Sequence, residues 1–210
     1  MAKIVPAIQP TSLEDFQQKL RTVRQLTNRF QLDIVAADFN DTPTVELGVI
    51  TLSPGMECDI HIMARNPLPQ IEAAKRLYPH LVIVQYEGVE GLERIIESLR
   101  ESGQAVGVAI NPETEVADIT NIIPMLDHVL IMAYPSGPSG QALQPKVLKK
   151  VAQIRELKPS VEVGLDGGVA EDTLSLIAKA EFDVVNTTSF LFSADDPMTR
   201  YTQLMEELAS

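Results

Sequence analysis

The chain has one cysteine, no tryptophan and no apolar run long enough to span a bilayer. With Cys58 alone, no disulfide can form within the chain, and a lone thiol beside Asp59 is expected to be structural rather than nucleophilic. A membrane span needs about 18 consecutive apolar residues, and Pro6 interrupts the amino terminus before a secretory apolar run can develop. These absences predict a reduced, cytoplasmic protein with no membrane partner.

Basic residues are also scarce. The chain has 17 lysines and arginines against 29 aspartates and glutamates, which gives a formal net charge of −12. An acidic molecule repels nucleic-acid phosphates and anionic lipids, so the sequence predicts no nucleic-acid partner. A small phosphorylated ligand is still compatible with this charge, because backbone N–H groups at helix starts attract phosphate at contact distance.

Short runs rich in β-branched residues recur along the chain with helix-length segments between them, as in repeated β-α units. Some runs, such as residues 81–84, are apolar at successive positions, which is typical of parallel strands that are buried on both faces. The eight predicted strands are residues 4–9, 31–36, 58–64, 81–87, 105–111, 128–134, 161–166 and 183–187.

The segments between the strands predict helices in most units. Ser12 is a suitable N-cap for the first helix, and the acidic residues after it complement the helix dipole. Residues 145–157 have apolar side chains at helical spacing, so this helix is predicted to turn its cations to solvent. Those cations are Lys146, Lys149, Lys150 and Arg155. Residues 40–56 lack a helical period, which predicts a short or missing helix after strand two.

Eight units that each return to a strand predict an α/β fold, a single (β/α)₈ TIM barrel that forms one domain over residues 1–210. An open doubly wound sheet is the alternative. Such a sheet normally has a glycine-rich phosphate loop after its first strand, and residues 8–12 contain no glycine. In a barrel, the chemistry is expected at the carboxyl ends of the strands.

Four polar residues lie inside or directly after apolar strands: Asp33, His61, Asn111 and Asp166. A buried ionised carboxylate is costly unless it is paired, hydrogen-bonded or bound to a metal. If Asp33, His61 and Asp166 converge, two carboxylates and an imidazole form a ligand set for Zn²⁺, Fe²⁺ or Mn²⁺. Each residue alone also has a structural interpretation, as a satisfied core histidine, a backbone-bound carboxylate or part of a turn.

Glycine and hydroxyl residues follow the last three strands. Residues 136–141 are interpreted as a mobile cover over a ligand or as an ordinary surface loop. The loops after strands seven and eight of such barrels often bind phosphate through backbone amides and hydroxyls. The predicted substrate or phosphate ligands are Gly137, Ser139, Gly140, Gly167, Gly168, Thr188 and Ser189.

An ordered series of motifs in this chain resembles the ribulose-phosphate 3-epimerase family nearly end to end. Each motif alone is weak, whereas the ordered set is specific. The series is Pro6-Ala7-Ile8, Asp33-Ile34-Val35, Asp59-Ile60-His61-Ile62-Met63 with Asn66-Pro67, Gly107-Val108-Ala109-Ile110-Asn111-Pro112-Glu113-Thr114, Leu130-Ile131-Met132 with Gly140-Gln141, Asp166-Gly167-Gly168 and Ser189-Phe190-Leu191-Phe192.

The resemblance implies an isomerase of carbohydrate metabolism, an epimerase that acts on a pentose phosphate. In that family a metal held by two histidines and two aspartates polarises the substrate carbonyl and stabilises an enediolate. One aspartate removes the proton at carbon three, and the other returns a proton to the opposite face. By position, the resemblance makes Asp33 and Asp166 both the acid–base pair and metal ligands, with His61 as a third ligand. Relatives commonly self-associate, which implies a homo-oligomer of unspecified size.

The chain departs from the family pattern at the first metal histidine, where Gln31 stands instead. A neutral amide oxygen is a weaker ligand than imidazole, so the bound metal is expected to be weakened or absent. The other departures are Ala7 for serine, Val35-Ala36-Ala37 for Met-Asp-Gly, Ser136 for proline, Ser139 for glycine and Thr188 for glycine. Together they imply an altered substrate, a different or absent metal, or binding without efficient turnover.

Three functional hypotheses follow. The first is a sugar-phosphate epimerase that uses the retained pair Asp33 and Asp166. The second is a non-catalytic sugar-phosphate-binding relative with an eroded metal site. The third is aldol or decarboxylase chemistry, which usually needs a lysine at a strand end, whereas Lys146, Lys149 and Lys150 are interpreted as an exposed helix face.

Overall fold

Eight parallel strands close into a barrel in the order of the sequence, and the last strand pairs with the first. The computed structural model describes residues 2–52, 54–137 and 140–208. The strands are β1 (Lys3–Ile8), β2 (Arg29–Val35), β3 (Glu57–Met63), β4 (Leu81–Gln85), β5 (Val106–Ile110), β6 (His128–Met132), β7 (Glu162–Asp166) and β8 (Val184–Thr187). The predicted (β/α)₈ barrel is confirmed, and the open sheet is excluded because the ladder has no edge.

The helices surround the barrel unevenly. They are α1 (Leu13–Leu26), α2 (Leu68–Lys75), α3 (Leu92–Glu101), α4 (Lys150–Leu157), α5 (Leu174–Lys179), α6 (Ser189–Phe192) and α7 (Pro197–Glu207). The Ser12 hydroxyl accepts the Asp15 N–H at 3.1 Å, which confirms the predicted cap of α1. Among the described residues between β2 and β3, the 3₁₀ turn Leu47–Val49 is the only helical segment, so the short or missing helix is also confirmed.

Two further units depart from simple helix packing. After β5 the described chain forms the 3₁₀ turns Val116–Ile119 and Ile123–Met125, and the segment before α4 begins as a 3₁₀ turn, Pro145–Lys149. The predicted helix over residues 145–157 is therefore a 3₁₀ turn that continues into α4. Among the described residues, no helix has both the length and the apolar character needed to cross a membrane.

Strand residues alternate between an outer and an inner core. Outward side chains such as Val82 and Val84 pack beneath the helices in the main cluster. The inner core is a separate cluster within the barrel, formed by Leu81, Ile83, Ala109, Leu130 and Met132. This inner cluster divides the polar groups at the two ends of the barrel from each other.

A buried ionic cluster closes the amino end of the barrel. Arg29 donates from Nε to Asp59 at 2.8 Å and from its terminal nitrogens to Glu162 at 2.9 and 2.7 Å. His128 Nδ1 lies 2.9 Å from Glu162 Oε2, and a Cβ on Gly164 would come within 2.7 Å of His128 Nε2. Burial opposes ionisation of Glu162, but the hydrogen bonds from Arg29 and His128 outweigh it and hold the pKa of that carboxyl well below its usual range.

Glu162→Gln should therefore lower stability most at neutral pH. The pKa of Glu162 is depressed in the folded state. The carboxylate therefore stabilises the protein above its ordinary pKa of 4.5, and this effect is lost as the pH falls below that value. We expect a loss of about 3 kcal/mol at pH 7, the lower end for a buried pair, because 27% of the side chain is exposed. Urea unfolding at a series of falling pH values should show a decreasing difference in unfolding free energy between Glu162→Gln and wild type. A difference that stays constant with pH would contradict the stabilising role of the ionised carboxylate.

Lys150, the first residue of α4, is buried, so the prediction that it faces solvent is wrong. Its Nζ donates to the carbonyl oxygens of Asn111, Pro112 and Thr114 at 2.9, 3.0 and 2.7 Å. Burial lowers the pKa of this ammonium. The three acceptors belong to the loop after β5, and their donor lies 36 to 39 residues further along the chain. Lys150 thus fastens a loop at the carboxyl end of the barrel.

Lys150→Met should lower the free energy of unfolding by about 2–4 kcal/mol, because buried carbonyls lose a charged donor. Lys149→Met is the matched control on the exposed side of the same segment, and we expect a change within about 0.5 kcal/mol. Chemical denaturation of both variants measures the difference. Equal stabilities would mean that the three hydrogen bonds contribute nothing net.

Candidate active site

Two acids from strands that are not neighbours meet at the carboxyl end of the barrel. Asp33 lies on the inward face of β2, two residues before the strand ends, and Asp166 is the last residue of β7. The amide nitrogen of Gln31 joins them, because it donates to Asp33 Oδ1 and to Asp166 Oδ2 at 2.7 Å each. All three side chains are buried. The two strands therefore bring both carboxylates into hydrogen-bond contact with one donor, the Gln31 amide nitrogen.

His61 completes the group from the neighbouring strand β3, whose register places it beside Asp33. Its Nδ1 lies 3.2 Å from Asp33 Oδ1 and 3.7 Å from Asp166 Oδ2, and the residue is fully buried. One ligand atom from each of Asp33, His61 and Asp166 falls within 4.8 Å of the others. The predicted convergence of these side chains is confirmed.

Burial and mutual charge alter the acidity of the group. Desolvation and then the negative charge of Asp33 raise the pKa of Asp166 to about 7. Burial disfavours the imidazolium of His61, but the hydrogen bond and charge of Asp33, with the charge of Asp166, outweigh it and raise the pKa of the histidine. The site therefore favours a positive charge between its carboxylates and a proton on one of them.

Gln85 is a site residue that the sequence reasoning missed. It ends β4, is fully buried, and its Oε1 lies 2.9 Å from His61 Nε2. Its Nε2 donates to Glu87, the second residue after the strand. The signal was present, since period-two alternation from the inner residue Ile83 points Gln85 into the barrel.

The Asn111 side chain hydrogen-bonds the loop after β6 rather than the acid pair. Its Oδ1 accepts the Ser136 N–H at 2.8 Å and the Ser136 hydroxyl at 2.5 Å. The next residue, Gly137, accepts a hydrogen bond through its carbonyl from Gln9 Nε2 at 3.3 Å, across the barrel mouth from β1. The predicted ligand Ser139 lies outside the described residues.

A cavity of about 600 Å³ opens among the loops after β6, β7 and β8. Five of the predicted phosphate ligands line it: Gly140, Gly167, Gly168, Thr188 and Ser189. Gly137 is not among its lining residues, so its predicted contact with the substrate has no support from this cavity. The position of the cavity agrees with the expectation that the last loops of a barrel receive the ligand.

Tyr134 forms part of the wall of this cavity and was also missed. Its hydroxyl would lie 2.5 Å from a Cβ on Gly167, the residue after Asp166, and Gly167 has φ +80°. A side chain at 167 is thus excluded both by the phenol and by the backbone conformation. Burial, and then the charges of Asp166 and Asp33, raise the pKa of Tyr134, so a neutral phenol stands beside the acid pair.

The donor set is suited to a divalent cation. Two carboxylate oxygens and an imidazole nitrogen are ligands that Zn²⁺, Fe²⁺ and Mn²⁺ accept, and His61 aims Nδ1 at both carboxylates. Gln31 turns its amide nitrogen, not its oxygen, toward the acids. Its predicted role as a metal ligand therefore requires the amide to rotate. Cys58 stays apart from this set: it is buried, and burial raises the pKa of its thiol.

Comparisons with known proteins agree with this arrangement. The model of the "Ribulose-phosphate 3 epimerase family" matches residues 3–192. The ribulose-phosphate 3-epimerase of Chlamydia pneumoniae is 27% identical over 200 residues, covering 90% of this chain and 87% of that protein. That of Schizosaccharomyces pombe is 28% identical over 205 residues, covering 93% and 89%.

Among solved structures, 3-hexulose-6-phosphate synthase from Salmonella typhimurium superposes with a TM-score of 0.69 at 14% identity, over 99% of each chain. At that identity the likeness shows the fold alone. The family model, by contrast, spans most of the sequence, including both acids and His61. The chain therefore belongs to the ribulose-phosphate 3-epimerase family.

Proposed function

We propose that this protein epimerises a small ketose phosphate by proton transfer between Asp33 and Asp166. The observation that carries the proposal is the meeting of two buried carboxylates from β2 and β7 at the barrel mouth. Inversion at a carbon beside a carbonyl needs a base on one face of the substrate and an acid on the other. Asp33 and Asp166 come from separate strands, and both would contact one substrate bound between them, so they meet this requirement.

The acidity of the pair supports the same chemistry. Burial, and then the charge of Asp33, raise the pKa of Asp166 to about 7, so Asp166 is suited to exchange a proton near neutral pH. One aspartate takes the proton from carbon three of the substrate as the carbonyl becomes an enediolate. The other aspartate delivers its proton to the opposite face of the same carbon. After one turnover the aspartate that acted as the base carries the proton and the other is ionised, so the total charge of the pair is unchanged and the reverse reaction uses the two acids in the opposite roles.

The remaining parts of the site would hold the substrate. The cavity of about 600 Å³ has room for a pentose phosphate, and its glycine backbones and the hydroxyls of Thr188 and Ser189 suit a phosphate. Tyr134 would supply a neutral hydrogen-bond donor between the phosphate end and the acids. Asn111 and Gln9 hold Ser136 and Gly137 on the β6 side of the barrel mouth.

A divalent cation at this site would be held by His61 Nδ1 and one oxygen from each of Asp33 and Asp166. When bound, such an ion supplies positive charge near the substrate oxygen on which negative charge develops. Zn²⁺, Fe²⁺ and Mn²⁺ suit these ligands. The Gln31 amide nitrogen already donates hydrogen bonds to both carboxylates. We therefore expect the chain to bind the ion less tightly than it would with a histidine at position 31.

Isotope exchange tests the proposed reaction. Ribulose 5-phosphate incubated with the protein and each of Zn²⁺, Fe²⁺ and Mn²⁺ in deuterated water should exchange hydrogen at carbon three, as seen by NMR. Asp33→Asn and Asp166→Asn should each slow the exchange by about 10²–10⁴-fold, the usual contribution of a positioned acid or base. The exposed Asp195→Asn is the matched control and should match wild type.

Two other outcomes are informative. No exchange with any of the metals would exclude ketopentose epimerisation. Thermal stabilisation by the sugar phosphate without exchange would favour the non-catalytic relative instead. The lysine-dependent alternative gains no support from Lys150, because three backbone carbonyls after β5 hold its Nζ.

Gln31→His tests the metal assignment separately. Imidazole is a stronger ligand than an amide, and the substitution also frees both carboxylates from the amide hydrogen bonds. We expect Zn²⁺ affinity to rise at least about tenfold, which corresponds to about 1.4 kcal/mol. Titration calorimetry on chelator-treated protein measures it, with His61→Ala as the variant that should lose affinity. Unchanged affinity in both variants would place the ion elsewhere.

A further inference from the structure

The hydrogen bonds behind His61 form a directed chain. His61 Nε2 contacts Gln85 Oε1 at 2.9 Å, and Gln85 Nε2 donates to Glu87 Oε2. The other oxygen of Glu87 accepts the Asn111 N–H at 2.8 Å and the Thr114 hydroxyl. Three donors thus converge on one carboxylate, and the ends of β3, β4 and β5 are tied together at the barrel mouth.

The carboxylate decides which way the Gln85 amide points. An ionised carboxylate offers only acceptors, so the group that faces Glu87 must be the NH₂ of the amide. The amide oxygen then faces His61, and because that oxygen only accepts, Nε2 of the histidine must carry hydrogen. When the ring is neutral and its hydrogen is on Nε2, the nitrogen that faces Asp33 and Asp166 is Nδ1, and its lone pair is free to coordinate a cation.

Without this chain the opposite arrangement would be favoured. Asp33 Oδ1, only 3.2 Å from Nδ1, attracts a proton to that nitrogen. The Gln85 amide would then turn its NH₂ to an unprotonated Nε2, and Nδ1 would have no lone pair for a metal. Gln85 is fully buried, so it has no solvent to satisfy a mismatched amide.

We propose that Glu87, acting through Gln85, is a positioning residue that keeps hydrogen on His61 Nε2 and so reserves Nδ1 for the cation. The proposal rests on the proposed metal role of His61. It gives Gln85 and Glu87 a role behind His61, on the side of the ring away from Asp33 and Asp166. It also explains why a glutamine is compatible with full burial at the end of β4: both halves of its amide have a fixed partner.

The protonation of the ring is directly observable. Long-range ¹H–¹⁵N NMR of labelled, chelator-treated protein reports which ring nitrogens carry hydrogen, and the three histidines are assigned by replacing His80 and His128 in turn. In wild type, Nε2 of His61 should be protonated both without metal and with Zn²⁺. An unprotonated Nε2 in the wild-type protein would overturn the proposal, whatever the variants do.

Glu87→Gln removes the directing carboxylate and leaves the size of the side chain nearly unchanged. We expect the His61 hydrogen to shift toward Nδ1 and the Zn²⁺ affinity to fall by about 10–100-fold, the usual effect of losing a partner behind a ligand. Glu90→Gln, exposed on the same loop, is the matched control. If Glu87→Gln binds Zn²⁺ as tightly as this control, the proposal fails.

Gln85→Met is a second variant should Glu87→Gln not fold. It removes the acceptor for Nε2 and should weaken Zn²⁺ binding to a similar extent; wild-type affinity in this variant would also overturn the proposal. Neither the NMR measurement nor the titration uses a sugar phosphate. A protein without epimerase activity would therefore refute the proposed function and still report on the positioning role.

Discussion

Two carboxylates buried within reach of each other repel, and the carboxyl end of this barrel is organised around that repulsion. Asp33 and Asp166 share the amide of Gln31, and His61 stands against both. Each of these partners supplies a hydrogen or a positive charge where negative charge has been withdrawn from water. Burial, and then this unfavourable pairing, raise the pKa of Asp166 into the neutral range, which is where proton transfer is most effective.

Buried carboxylates are stabilised in different ways at the two ends of the barrel. At the amino end, Arg29 hydrogen-bonds both Asp59 and Glu162, His128 lies against Glu162, and the pKa of Glu162 is depressed. At the carboxyl end the acids have no such complement of strong cations, and the pKa of Asp166 is raised. An inner layer of apolar side chains separates the two clusters. A charge-paired amino end and an acid pair at the carboxyl end agree with the division of roles in barrels of this type, in which the amino end contributes stability and the carboxyl end the chemistry.

The substitution of Gln31 for a histidine changes what holds the acids together. An amide that donates to both carboxylates stabilises the site without a metal, and it competes with any cation for the same oxygens. His61 on β3 has Gln85 and Glu87 behind it. Under the proposed metal role, Gln31 would weaken the site at one ligand, whereas Asp33, His61 and Asp166 still lie within 4.8 Å of one another.

Local patterns in the sequence predicted the strands, the cap at Ser12, the missing helix after β2 and the inward acids, since each depends on spacing within a single element, and the recurrence of eight such units predicted the barrel. Only the tertiary structure decided the partners of those groups. The exposure predicted for Lys150 was wrong because its acceptors lie in a loop more than thirty residues earlier, after β5. The amide direction of Gln31, the chain through Gln85 and the place of Tyr134 likewise depend on side chains from other strands. Periodicity reports which face a residue occupies, whereas hydrogen-bond partners are set by closure of the barrel, which brings distant strand ends together.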